Sequence, residues 1–231
     1  MAAPSTLAGL VPTAFVTGAS QGLGRAFTEM LLAEGVRVWG TARSVERLAD
    51  LSANPLFTAV ALDLGDPAAA EDAYRGASAQ AGGFHLVVNN AGYGIFADAL
   101  AEDPAVWDAQ IDEMLKATIR LGRLALLEMK PRGRGHLVNI SSLAVEFPLP
   151  FMSGYNVVKA GLSAWSESLA VELAGSGVCV VDFRPGDYRT DFNRVATRGA
   201  GTADPRAERA WTVLGRNLDV APPPARAAAE L

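Results

Sequence analysis

Short, densely apolar runs alternate along this chain with longer segments in which apolar residues recur at helical spacing. Residues 13–17 (TAFVT), 36–41 (VRVWGT), 57–62 (FTAVAL), 84–89 (FHLVVN), 136–140 (HLVNI) and 178–183 (VCVVDF) read as strands. Their Val, Leu and Phe show little in–out alternation, as strands covered on both faces should. Helical patterning lies between them, over 22–34, 44–52, 67–81, 104–129, 154–174 and 203–219. Pro67 and Pro104 each follow an aspartate. Proline fits a first helical turn, and the acid before it caps free N–H groups or faces the positive dipole end. Strand–helix–strand units of this length close as right-handed crossovers. The pattern predicts an α/β chain with a doubly wound parallel sheet in three α/β/α layers, forming one domain over 1–231.

Residues 187–206 break the rhythm, with several arginines, many small residues and no clear strand. Such a stretch inside a compact chain is a lid or binding loop, or else a solvated excursion. Together with the following helix, 187–220 is the expected substrate-binding region. Residues 224–231 read as the start of another helix.

Composition narrows the function classes. The chain has 231 residues, 50% hydrophobic and 19% charged, with a formal charge of -5. An acidic balance with no basic face argues against a nucleic-acid partner. One cysteine and two histidines leave no disulfide framework and little for a metal site. Met1 to Gly24 carries no charge and is interrupted by prolines and glycines. It therefore lacks the basic, unbroken apolar form of an export signal and reads as a disordered lead before a buried strand. No window supplies a membrane helix, and the cytoplasm is the expected location.

Candidate chemistry begins at Thr17-Gly-Ala-Ser-Gln-Gly-Leu-Gly24, between the first strand and the first helix. Gly18, Gly22 and Gly24 make a G-x-x-x-G-x-G loop. Glycines there let backbone N–H groups approach a pyrophosphate while the helix N-terminus faces it. Ser20, Gln21 and Leu23 complete the loop. A strand-to-helix turn that needs glycine only for its φ is the competing reading. The second strand ends in Thr41-Ala-Arg43-Ser, with an arginine where an acid would bind the ribose of NAD. A guanidinium there suits the 2′-phosphate of NADP(H). The alternative is a surface arginine paired with Glu46 or Asp50. Asp63 and Leu64, after strand three, suit the adenine, although Asp63 also reads as a turn or cap residue. Asn89-Asn90-Ala91-Gly92 ends strand four, where its amides can tie neighbouring strands and line the cofactor crevice.

Tyr155 and Lys159 lie four apart on one helix face. A nearby ammonium is expected to draw the phenol pKa down, fitting it for proton exchange with a carbonyl or alcohol oxygen. The bland reading is an i,i+4 surface pair. Ser142, thirteen positions before Tyr155 at the end of strand five, offers a hydroxyl to that oxygen. Ser141 is the adjacent candidate, pointing the other way.

These motifs, TGASQGLG, Asp63, NNAG, Ser142, YNVVK and RPGDYRT (184–190), stand in an order that resembles the short-chain dehydrogenase/reductase superfamily, over most of residues 12–191. The resemblance implies a Rossmann-like fold. It also implies Tyr155 as acid/base, Ser142 as the oxygen-orienting hydroxyl, and Lys159 binding the nicotinamide ribose. Pro185, Gly186, Tyr188 and Thr190 would then hold the carboxamide and pyrophosphate side of NADP(H). The implied activity is interconversion of a carbonyl and a secondary alcohol. An apolar small molecule would occupy a pocket drawing on Tyr93, Phe96, Leu143, Phe147, Met152, Tyr188 and 187–215. Homodimers or homotetramers built on the 104–129 and 154–174 helices are also implied. One departure stands out: Met114 falls where the family carries an asparagine that supports a proton relay. That makes a cofactor-binding protein with little or no catalysis the alternative. Members also commonly add a further helix and a seventh strand after the segment matching 203–219.

Overall fold

A computed structural model describes residues 7–190, 192 and 196–230. Residues 1–6, expected as the lead, and 191 and 193–195, within the expected loop, lie outside the described residues. The central sheet has six parallel strands: β1 (Thr13–Val16), β2 (Arg37–Ala42), β3 (Phe57–Ala61), β4 (Leu86–Asn89), β6 (Gly135–Ile140) and β7 (Val178–Phe183). They stand in the order β3-β2-β1-β4-β6-β7. Their alternation sorts side chains between two layers. Ala14, Val16, Val38, Leu86, Val88, Val138 and Ile140 pack in a cluster with α2 (Gly22–Ala33). Phe15, Trp39, Val87 and Leu137 pack on the opposite face against α3 (Pro67–Ala81) and α5 (Ala117–Arg132). Burial on both faces explains why polar residues are scarce in these runs.

The helix starts follow the proline logic. Asp66 accepts a hydrogen bond from the Ala69 N–H, and Asp103 from the Ala105 N–H, ahead of α3 and α4 (Pro104–Ile111). A third pair, Asp204-Pro205, opens α7 (Pro205–Val220) in the same way. The expected helix over 44–52 is instead two short 3-10 turns, Val45–Leu48 and Leu51–Ala53. Leu48 and Leu51 are buried there, and their three-residue spacing suits the tighter turn. The expected 104–129 helix is interrupted by a π-helical turn at Asp112–Lys116, which carries Met114, and then runs on to Arg132. α6 spans Ser153–Glu172. The short helix α8 (Pro224–Ala228) buries Ala227 and Ala228 in the α2 cluster.

The stretch expected to lack strands contains one. β8 (Thr197–Arg198) pairs in parallel with β5 (Ile95–Phe96), about a hundred residues earlier, in a separate two-stranded sheet. Beside it a third apolar cluster gathers Phe96, Met114, Met152, Tyr155, Val158 and Ala207. Phe96 meets Trp211 of α7 edge-to-face at 4.9 Å. No helix among the described residues is long and apolar enough to cross a membrane.

Candidate active site

The sheet order turns back between β1 and β4, and ligands of doubly wound sheets bind beyond the carboxyl ends of the strands at such a point. A cleft of about 730 Å³ opens there. At one end short polar side chains tie the backbone of the glycine loop to its neighbours. The Thr17 hydroxyl oxygen accepts from the N–H groups of Asn90 and Ala91, at 2.9 and 3.0 Å. The Asn90 amide donates back to the Thr17 carbonyl at 2.9 Å, and the Thr41 hydroxyl accepts from the Gly18 N–H at 3.3 Å. Thr17 is thus the hub joining the loop to the NNAG segment, a role its sequence position alone does not reveal.

Gly18 and Gly22 take φ of 69° and 58°. A Cβ on Gly24 would stand 2.3 Å from the Gly18 carbonyl oxygen, so this glycine is needed for close packing, behind the cleft wall and not on it. Gln21 precedes α2 without capping it. The first N–H groups of that helix and its positive dipole end are left for a ligand, and the cradle fits a dinucleotide pyrophosphate. Ser20, Gln21, Gly22 and Leu23 line this end, with Thr190 on the facing segment. A Cβ on Gly22 would meet the Thr190 side chain at 3.6 Å.

Arg43 lines the same end, and both partners proposed for a surface pairing are engaged elsewhere. Glu46 accepts from the Ser44 hydroxyl, and Asp50 pairs with Arg25 at 2.6 Å. Sequence reasoning missed Arg47, a second guanidinium on the cleft wall that donates to the Gln21 side-chain oxygen. The signal was available: Arg47 follows Arg43 by four residues, in the first turn of the segment expected to be helical. Asp63 and Leu64 also line the cleft. The Asp63 carboxylate accepts from the Gly65 N–H at 3.0 Å, so it serves a turn as well as facing the cleft.

At the strand-four boundary the two asparagines divide. Asn89 donates to Asn139 at 2.9 Å, and Asn139 to Ser166 at 2.9 Å, so a buried chain ties β4, β6 and α6. Asn90, Ala91 and Gly92 line the cleft. So does Met114, from the π-helical turn. Its thioether accepts from the Tyr93 N–H at 3.4 Å, and its methyl would lie 2.8 Å from a Cβ on Gly92.

The other end brings Ser142, Tyr155 and Lys159 together. Ser141 and Ser142 diverge: Ser141 donates to the Phe183 carbonyl at 3.3 Å, whereas Ser142 hydrogen-bonds Tyr155 and accepts from the Ala144 N–H at 3.0 Å. Lys159 donates to the Ile140 carbonyl at 2.6 Å, and its Nζ lies 5.7 Å from the centre of the Tyr155 ring. The electrostatics reverse one expectation. Burial raises the Tyr155 pKa above its ordinary value, the Ser142 hydrogen bond only partly opposes this, and the Asp187 carboxylate adds to it. Desolvation also pulls the Lys159 ammonium down to about 8, against the attraction of Asp182. Both groups lose water on burial, and that outweighs the Ser142 hydrogen bond for one and the Asp182 attraction for the other.

Pro185, Gly186, Asp187 and Tyr188 form the facing wall. Of the expected pocket residues, Tyr93, Leu143, Phe147 and Tyr188 line the cleft. Phe96 and Met152 do not: both are fully buried in the third cluster behind the wall. Phe192 and Leu214, from the expected 187–215 segment, also line it, with Phe192 edge-on to Tyr155 at 5.6 Å, and Leu149 and Leu218 line it in addition.

A glycine cradle at the turning point of a doubly wound sheet defines a dinucleotide-binding α/β protein. The family described as short chain dehydrogenase matches residues 12–200. The chain belongs to the short-chain dehydrogenase/reductase superfamily, whose members are nicotinamide-dependent oxidoreductases. It is 34% identical over 185 residues to 3-oxoacyl-(acyl-carrier-protein) reductase of Salmonella typhimurium, covering 78% of this chain and 75% of that one. A short-chain dehydrogenase structure from Streptomyces avermitilis superposes with a TM-score of 0.85 at 30% identity, covering 100% of this chain and 83% of that one. A metagenomic short-chain oxidoreductase solved with NADP gives 0.71 at 38% identity, covering 77% and 83%.

Proposed function

We propose that this protein is an NADP(H)-dependent carbonyl reductase or alcohol dehydrogenase, interconverting a carbonyl and a secondary alcohol. The observation that carries the reading is one cleft with Ser142, Tyr155 and Lys159 at one end and the glycine cradle at the other. The cradle residues and Asn90–Gly92 would hold the dinucleotide, with Asp63 and Leu64 at the adenine. Pro185, Gly186, Tyr188 and Thr190 would lie along its nicotinamide side. Bound there, the nicotinamide supplies or accepts hydride. Tyr155 exchanges a proton with the substrate oxygen, and its raised pKa keeps it a phenol at neutral pH, suited to donation during reduction. Ser142 offers a hydrogen bond to that oxygen as charge grows on it. Lys159, held by the Ile140 carbonyl, would use its remaining N–H groups to hold the nicotinamide ribose.

The free guanidinium of Arg43, backed by Arg47, supports the phosphorylated cofactor, as does the NADP bound by the metagenomic relative. The described residues of 187–220 would provide the substrate wall, and Leu143, Phe147, Leu149 and Leu214 suit an apolar substrate. Homodimers or homotetramers would use the apolar groove of Leu126, Leu127, Leu169 and Leu173 between α5 and α6. The protein would act in the cytoplasm.

The test is NADPH oxidation over a panel of apolar ketones, with Tyr155→Phe as control. Turnover is expected to fall by about a hundredfold or more in the control, with NADPH binding retained. Replacing Arg43 and Arg47 together by Ala should cost about tenfold in NADPH affinity and leave NADH affinity in place. The rival reading, a cofactor-binding protein with little catalysis, rests on Met114. NADPH binding without turnover on any ketone would favour it.

A further inference from the structure

Behind Lys159, away from the cleft, lies a charged cluster that the proposed reaction does not use. Arg184, just after β7, reaches three carboxylates: Asp182 at 2.6 Å, Glu146 at 2.7 Å, and Glu167. Asp182 lies inward of the others. Its side chain is only 9% exposed. One of its oxygens accepts from Ser163 at 2.7 Å and from Arg184. The other, Oδ1, is buried with no hydrogen-bond partner. Ser163 stands one helical turn beyond Lys159, so the serine that donates to Asp182 shares a face of α6 with the lysine. An unpaired carboxylate oxygen inside a protein costs free energy unless a nearby cation uses its field.

We propose that Asp182 is a positioning residue for the reaction: it is the built-in counter-charge of Lys159, and Arg184 sets how much of that charge the lysine feels. This rests on the functional reading above only for its effect on rate. The groups facing Lys159 support the assignment. Tyr155 on its own helix is an uncharged phenol, Met114 and Gly92 across the cleft carry no charge, Glu113 on the same wall is engaged with Tyr93, and Ser141 and Ser142 at the end of β6 are neutral. The helix face that Lys159 shares with Ser163 leads to Asp182, and the attraction of that carboxylate opposes the burial of the ammonium. Arg184 draws on the same carboxylate from the solvent side, so strengthening or removing that pull alters what remains for the lysine.

Two substitutions of opposite sign test this. Lys159 is the one buried lysine of three, since Lys116 and Lys130 are exposed. Its titration can therefore be followed in unliganded protein by NMR of lysine side-chain carbons. Asp182→Asn keeps the hydrogen bonds but removes the charge, and the Lys159 midpoint should fall by about one pH unit. Arg184→Gln frees the carboxylate, and the midpoint should rise. Glu167→Gln loosens the same cluster on its outer side and should leave the midpoint where it is. The double variant Asp182→Asn with Arg184→Gln removes the carboxylate and its guanidinium partner together, and should show the Asp182→Asn shift even if the single variant folds poorly. The alkaline limb of the kcat/KM profile should move with the midpoint. An unchanged Lys159 midpoint in the double variant, or shifts of the same sign in Asp182→Asn and Arg184→Gln, would overturn the proposal. Absence of turnover on any ketone would overturn the functional reading and leave the NMR result standing.

Discussion

The two ends of the cleft are built from different materials. At the cofactor end, Thr17, Asn90, Thr41 and the loop glycines fix the backbone through hydrogen bonds and close contacts among the ends of β1, β2 and β4. At the other end the wall is lined by side chains, Leu143, Phe147, Leu149, Phe192 and Leu214, and backed by the Phe96–Trp211 contact, Arg198 over the Trp211 ring at 5.2 Å, and a two-residue ladder between β5 and β8. A pyrophosphate is the same for every member of a cofactor class, so a backbone cradle suffices for it. Substrate choice needs exchangeable side chains, and these sit outside the main sheet.

The sharpest way to break this comparison is Phe96→Ala. Emptying a fully buried aromatic site should cost about 3–5 kcal/mol of stability. At temperatures where the variant stays folded, KM for the carbonyl compound should rise while cofactor affinity holds. Equal losses at both ends, measured by calorimetric titration of NADPH beside kinetics, would show that the ends are not independent.

Lys159, beside Tyr155 at the end opposite the glycine cradle, carries a pH signature. Below about pH 8 the lysine is protonated in both folded and unfolded states, and the full cost of burying its charge is felt. From pH 8 toward 10.5 the unfolded chain binds more protons than the folded one, so this cost lifts as pH rises. The relief amounts to about 3 kcal/mol. Denaturant titrations across that window should show it in the wild type and not in Lys159→Met.

Gly24→Ala probes the cofactor end alone. The added methyl meets backbone 2.3 Å away and should cost about 1–3 kcal/mol together with NADPH affinity. Gly76→Ala in α3 meets nothing within 4 Å and should stabilise by up to about 1 kcal/mol, which makes it the matched control. The smallest effect is expected at Met114→Asn. The thioether accepts one weak hydrogen bond, and the π-helical turn that positions the residue is a backbone feature. Turnover should hold or rise a few fold, and a large fall with binding intact would make the thioether an active part of the site.

The same division decided what could be read from the sequence. The six sheet strands and the glycine loop were legible because their signals are local: apolar density, glycines at a strand-to-helix turn, aspartate–proline helix starts. Ser142, Tyr155 and Lys159 were legible as spacings along the chain. The parallel pairing of β5 with β8 was not, since two-residue strands have no periodicity to detect and their partner lies far away in sequence. Phe96 and Met152 read as pocket residues because an apolar side chain near a site looks the same whether it faces the cleft or the core behind it. The direction of the Tyr155 shift was missed for a related reason: sequence shows which charges are close along a helix, but not how much water burial removes from them.

The β5–β8 ladder has a consequence for the order in which the molecule assembles. Residues near 95 and 198 gain nothing from each other until the chain between them, which contains β6, α6 and β7, has been drawn in. Closing so long a loop in an open chain costs entropy that two residues of pairing cannot repay. The main sheet shortens the gap first. The substrate wall is thus the last part to set, fastened over a cofactor half that has already folded.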